Sequence, residues 1–99
     1  MNLSDILLEL RRWLEMIRIP SQILTDTDRG LCVIFETENA LAELIAGEGE
    51  CAPYRFVSFT VLDLRLDLRA EPVFCFHDND THTAEDILRE LARGIRYLM

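Results

Sequence analysis

Apolar residues at the start of this chain recur at helical spacing: Leu3, Ile6, Leu7, Leu10, Leu14 and Ile17, with Trp13 beside Leu14. Asn2 and Asp5 have the spacing of a capping box, with Asp standing in for the usual Glu or Gln. Pro20 stops this helix and favours an extended Ile19. Ser21 to Thr25 is a short β-prone run. A turn at Asp26–Gly30 follows, with Gly30 free to take a positive φ. Leu31–Glu36 (LCVIFE) reads as a strand, so Ser21–Glu36 forms a hairpin. Asn39–Ala46 is expected to be a short helix, with Thr37 or Glu38 near its start and Gly47 at its end. Its apolar face would be Ala40, Leu41, Leu44 and Ile45. Gly47–Pro53 is a loop.

Tyr54–Arg69 (YRFVSFTVLDLRLDLR) alternates strictly in its second half. Leu62, Leu64, Leu66 and Leu68 point one way, and Asp63, Arg65, Asp67 and Arg69 the other, as in a strand with one dry and one wet face. The run exceeds the usual strand length, and the phase of its apolar set changes near Val61–Asp63, so a bulge or break is expected there. Glu71–Phe76 is the next strand, and His77–His82 (HDNDTH) a polar turn. Thr83 and Asp86 then have capping-box spacing before a final helix through Met99, with Ile87, Leu88, Leu91, Ile95 and Leu98 as its buried stripe. Residues 1–99 read as one globular domain of α+β class: a mostly antiparallel sheet packed against N- and C-terminal amphipathic helices. The expected order is helix, hairpin, short helix, two strands, helix. Both long helices would cover one sheet face. The other face would then be left for an oligomer or a partner to cover.

Charge changes this picture most. Eighteen acids face ten bases, a net charge of -8, and every base is arginine. Asp26–Glu50 holds seven acids against the lone Arg29; Glu71–Glu90 holds six against Arg89. Such a surface repels phosphate backbones and steers a basic partner toward it, so nucleic-acid binding is not expected. The second acidic block is partly explained by turn formation and helix capping. The first has less local explanation and is the better docking surface. Expected partner-binding residues are Asp26, Asp28, Glu36, Glu38, Glu43, Glu48 and Glu50, with Asp63, Arg65, Asp67 and Arg69 on the amphipathic run.

Three cysteines, Cys32, Cys51 and Cys75, without CxxC spacing suggest a reducing, cytoplasmic setting. Cys32 and Cys75 lie in apolar runs and are expected to be buried, with Cys51 the most exposed. Asp5, Glu9, Arg11 and Arg12 interrupt the first helix, so neither a signal peptide nor a membrane span is expected from it.

Candidate chemistry is sparse. His77, Asp78, Asp80 and His82 offer two imidazoles and two carboxylates, a possible site for a divalent metal. As a calcium loop the motif fails, with Thr83 where glycine is required and Arg89 where the bidentate Glu belongs. Turn formation and helix capping account for the same residues, so no metal is assigned. Cys75 and His77 would share a strand face, but no residue nearby in sequence orients the imidazole as a triad requires. Neither a nucleophile elbow nor a phosphate loop is present. No catalytic residue and no cofactor are assigned.

The stretch LLELRRWLEMIRIP followed by DTDRGLCVIFE resembles the class I chaperones of type III secretion: an amphipathic helix, a proline, then a strand entered after an acidic-glycine turn. The resemblance covers the first third of the chain and implies a protein that holds a partner segment, often as a homodimer, without catalysis. The expected function is therefore a non-catalytic protein-binding module, chaperone-like or adaptor. Two alternatives are an immunity protein or antitoxin that covers a basic toxin or enzyme, and a small metal-dependent enzyme using the HDNDTH turn. The expected partner is a protein, basic in character or a second copy of the chain, rather than a nucleic acid or a membrane.

Overall fold

In a computed structural model that describes residues 2–48, 55–65 and 71–99, helix α1 (Leu3–Met16) starts at the expected capping box. The Asp5 N–H donates to Asn2 Oδ1 at 2.9 Å, and the Asn2 N–H donates to Asp5 Oδ2 at 3.1 Å. The chain then leaves through an extended Ile17 and enters an antiparallel meander: β1 (Ser21–Thr27), β2 (Gly30–Glu36), β3 (Ala40–Gly47), β4 (Val57–Asp63) and β5 (Phe74–His77). The strands lie in the sheet in the order in which they occur in the chain. Helix α2 (Ala84–Ile95) follows, capped by Thr83 and Asp86, and a 3₁₀ turn (Arg96–Leu98) ends the chain. The fold is α+β, a five-stranded antiparallel sheet with a helix at each end of the sequence.

The expected short helix at 39–46 is a strand instead. Ala40, Ala42, Leu44 and Ala46 are buried while Leu41, Glu43 and Ile45 alternate with them toward the opposite face. Ala, Leu and Glu favour helix in isolation, but here the segment pairs on both edges, with β2 and with β4, and tertiary pairing overrides that weak preference. Thr37, which resembles a helix cap in sequence, closes a β-turn. Its N–H donates to the Ala40 carbonyl at 2.9 Å, and its hydroxyl accepts the Ala40 N–H at 3.2 Å. The same local hydroxyl-to-backbone bond serves a cap or a turn, so the residue alone does not distinguish them.

Three smaller differences follow. Of the bulge or break expected near Val61–Asp63 the break is what occurs, since β4 ends at Asp63 and Leu64 and Arg65 turn; β4 itself has no bulge, and the irregularity lies in β1, between Ile23 and Thr25 opposite β2. Strand β5 begins at Phe74 rather than Glu71. Gly30 is needed for no left-handed turn, since no described residue has a positive φ. Instead it faces Gly47 across the pair, where an added Cβ would lie 3.4 Å from the Ala46 carbonyl oxygen.

Cross-strand partners share a face, so the register assigns every strand residue to one of two sides. The inner side carries Leu31, Val33 and Phe35 of β2, Ala42, Leu44 and Ala46 of β3, Val57, Phe59 and Val61 of β4, and Phe76 of β5. These pack with Ile6, Leu7 and Leu10 of α1 and with Ile87, Leu91 and Ile95 of α2 in a single core. Both helices therefore cover the same face. Because β3 contributes mainly alanines there, the rings of β2 and β4 meet above it. Phe35 and Phe59 are edge-to-face with centroids 6.0 Å apart. Trp13 joins on one side at 6.3 Å and Phe74 on the other at 6.1 Å, extending an aromatic file from α1 to β5. Each such pair contributes about 0.5–1.5 kcal/mol beyond the area it buries.

Candidate docking face

No described helix lies on the outer side of the sheet. The register places Cys32, Ile34 and Glu36 of β2, Leu41, Glu43 and Ile45 of β3, Ser58, Thr60 and Leu62 of β4, and Cys75 and His77 of β5 there. An antiparallel sheet with one solvated face ordinarily puts polar residues outward. This one puts Ile34, Leu41, Ile45 and Leu62 outward, each half-buried by its neighbours, around the exposed Glu43. A shallow depression of about 210 Å³ lies at this point, lined in part by Leu41, Glu43, Thr60 and Leu62. The face thus has an apolar region across β2, β3 and β4 with a carboxylate inside it. A more polar margin, Ser58, Thr60, Cys75 and His77, lies toward β5.

The acids expected to form one docking surface are separated by the fold. Asp28, in the β1–β2 turn, and Glu48, just after β3, lie at one end of the sheet near the start of α1. Glu36 and Glu38 lie at the other end, with Asp63 and Arg65. Asp26 is engaged by Arg11 of α1 at 2.9 Å, beside a groove between α1 and β1 lined by Leu14, Ile23 and Leu31. Among the described acids Glu43 alone occupies the centre of the open face. Glu50, Asp67 and Arg69 lie outside the described residues, as does Cys51.

Asp63 and Arg65 do pair, but within a turn rather than across a strand face. The Asp63 carboxylate accepts the Arg65 backbone N–H at 2.9 Å and two guanidinium N–H groups at 3.0 and 2.9 Å. Those guanidinium bonds, then the backbone bond, hold its carboxyl below the ordinary range. Asp86 is likewise held low, first by the Thr83 backbone N–H and then by the Thr83 hydroxyl.

The residues of the HDNDTH turn point in different directions. His77 sits on the outer face beside Cys75. Asp78 is 1% exposed and clamps the start of β4: one carboxylate oxygen accepts the N–H groups of Phe56 and Val57, both at 2.8 Å. His82 lies toward the inner side, edge-on to Phe76 at 5.3 Å, and its Nδ1 accepts the Asn79 N–H at 2.9 Å. Asp80 is exposed. Among the described residues no three His, Cys, Asp or Glu side chains are placed to hold a metal. Sequence reasoning missed the clamp, since an Asp in a polar turn carries no sign that its carboxylate faces a strand 21 residues earlier.

Both described cysteines depart from the expected burial. Cys32 is half-buried on the outer face, and Cys75 is exposed. Burial, and then the Glu43 carboxylate, push the Cys32 thiol above its ordinary value.

Compared with protein-family models, curated proteins and solved structures, the chain matches none. No helix among the described residues is long and apolar enough to cross a membrane.

Proposed function

We propose that this chain is a non-catalytic protein-binding module, chaperone-like or adaptor in role and cytoplasmic, whose open sheet face receives a basic protein partner. One observation carries the reading: apolar side chains surround the Glu43 carboxylate on a sheet face that no described helix covers. Half-buried isoleucines and leucines on such a face gain free energy when a second surface removes them from water, at about 25 cal/mol per Å² of apolar area. Glu43 in their midst favours an occupant with a cation at the matching position, since a buried carboxylate left unpaired would oppose docking. The net charge of -8 steers the same class of partner from a distance. The resemblance of the first third to class I type III secretion chaperones points the same way, toward holding a partner segment without catalysis.

The test is affinity capture from the native host with three baits: wild type, Glu43→Lys and Ile45→Asp. A stoichiometric basic protein retained by the wild type and lost from both variants, with unchanged folding by circular dichroism, is the expected result. Retention of the same proteins by all three baits would overturn the reading. Light scattering identifies the remaining occupant: a species of twice 11.5 kDa that both substitutions dissociate would make the ligand a second copy instead.

A further inference from the structure

We infer that Cys75 is an exchange-reactive thiol of this protein, able to take up a small disulfide at the β5 margin of the open face. The inference is independent of what docks on that face. Cys75 stands on an edge strand and is exposed, so its thiol is open to an incoming sulfur. Its Sγ lies 3.7 Å from His77 Nε2, within reach of a sulfur hydrogen bond, and 3.9 Å from the Thr60 hydroxyl across the strand pair. The i, i+2 spacing on a strand holds thiol and imidazole on one side of the sheet, and the β4–β5 register brings Thr60 opposite Cys75. A nucleophile with a base in hydrogen-bond reach is the minimum arrangement for activating a thiol.

Cys32 supplies an internal contrast. It lies on the same face, but its neighbours half-bury it, and burial together with Glu43 disfavours its thiolate. Two strands separate β2 from β5, and the register offsets the two cysteines by two residues along the strands, so they stand more than about 14 Å apart at about 4.8 Å per strand spacing. That is far beyond the ~7 Å Cα separation a disulfide tolerates, and an internal bridge between them is excluded.

The step balances as a thiol–disulfide exchange. The Cys75 S–H proton passes to His77 Nε2, and the thiolate attacks one sulfur of a low-molecular-weight disulfide. A new S–S bond forms to Cys75 as the old one breaks, and the departing thiolate takes a proton from the imidazolium. The protein thiol is oxidised and the small disulfide is reduced to one thiol and one mixed disulfide.

The experiment uses the full chain and hydroxyethyl disulfide, an uncharged probe that the acidic surface neither repels nor gathers. Adducts are trapped by acid and quantified at each cysteine by peptide mass spectrometry, with the Cys51 peptide read separately. Cys75 is expected to react about tenfold faster than Cys32, and His77→Gln to slow Cys75 about tenfold while leaving Cys32 unchanged. Cys75→Ser serves as the control that removes that peptide's adduct. Equal rates at Cys75 and Cys32, or a Cys75 rate indifferent to His77→Gln in a protein of unchanged circular dichroism, would overturn the inference.

Discussion

The two faces of the sheet are built from alternate residues of the same strands, yet the described helices cover only one of them. On the inner side β2 and β4 supply Val33, Phe35, Val57, Phe59 and Val61, all fully buried, and no charged side chain interrupts them. On the outer side the same two strands supply Cys32, Ile34, Ser58, Thr60 and Leu62, with Glu36 at the end of β2. The difference arises from size and charge at single positions. Alanines on the inner side of β3 let the phenylalanine rings meet and the helices approach, whereas Glu43 on its outer side would be expensive to bury unpaired. The lesson is that folding information is concentrated on the inner face. The outer one retains apolar area that packing of the described residues does not use.

Substitutions at matched positions test this asymmetry. The largest effect is expected from Phe59→Ala, which removes a fully buried ring from the middle of the aromatic file; urea denaturation should show a loss of about 3–5 kcal/mol. Next comes Gly94→Ala. Its Cβ would lie 2.5 Å from Phe59 Cε1 and 2.7 Å from Phe74 Cε1, so α2 must lift or both rings must turn. Overpacking of this kind costs about 1–3 kcal/mol, against a gain of up to about 1 kcal/mol in helix propensity. A raised denaturation midpoint would mean that the helix seat yields and that the inner face is less tightly specified than its geometry indicates. The smallest effect belongs to the outer face: Ile34→Ser should cost about 1 kcal/mol or less in dilute monomer, because the side chain is half-exposed already. A loss rivalling that of Phe59→Ala would show that the outer face is covered in solution, erasing the asymmetry.

Several elements were legible from neighbouring residues alone. Both capping boxes lie where S/T/N and D spacing places them, because the groups that satisfy one another are three residues apart. The β1–β2 hairpin and the apolar stripe of α2 were readable for the same reason. The α2 stripe was nevertheless incomplete. Gly94 is buried on it, against Phe59 and Phe74, and a glycine in a helical run carries no sign that two rings from other strands require its missing Cβ. Strand β3 was misread because a segment of alanine, leucine and glutamate fits either period over so short a length. Among the expected site residues, the position of Glu43 depended on that correction. In a helix it would have joined a solvated side, whereas in a strand it stands at the centre of an open sheet face. The Cys75–His77 pairing followed from strand spacing, but Thr60 did not, since it arrives from the neighbouring strand.

By itself, then, the sequence determined the α+β class, the two capped amphipathic helices, the first hairpin and the acidic character of the surface. All of these rest on interactions within a few residues or on composition. Only the tertiary structure decided that 40–47 is a strand, that both described helices cover one sheet face and neither covers the other, that Asp28 and Glu48 lie at the opposite end of the sheet from Glu36 and Glu38, and that Asp78 clamps β4. Each of those depends on which distant segments pair and in what register, and a shift of one residue would exchange the two faces entirely.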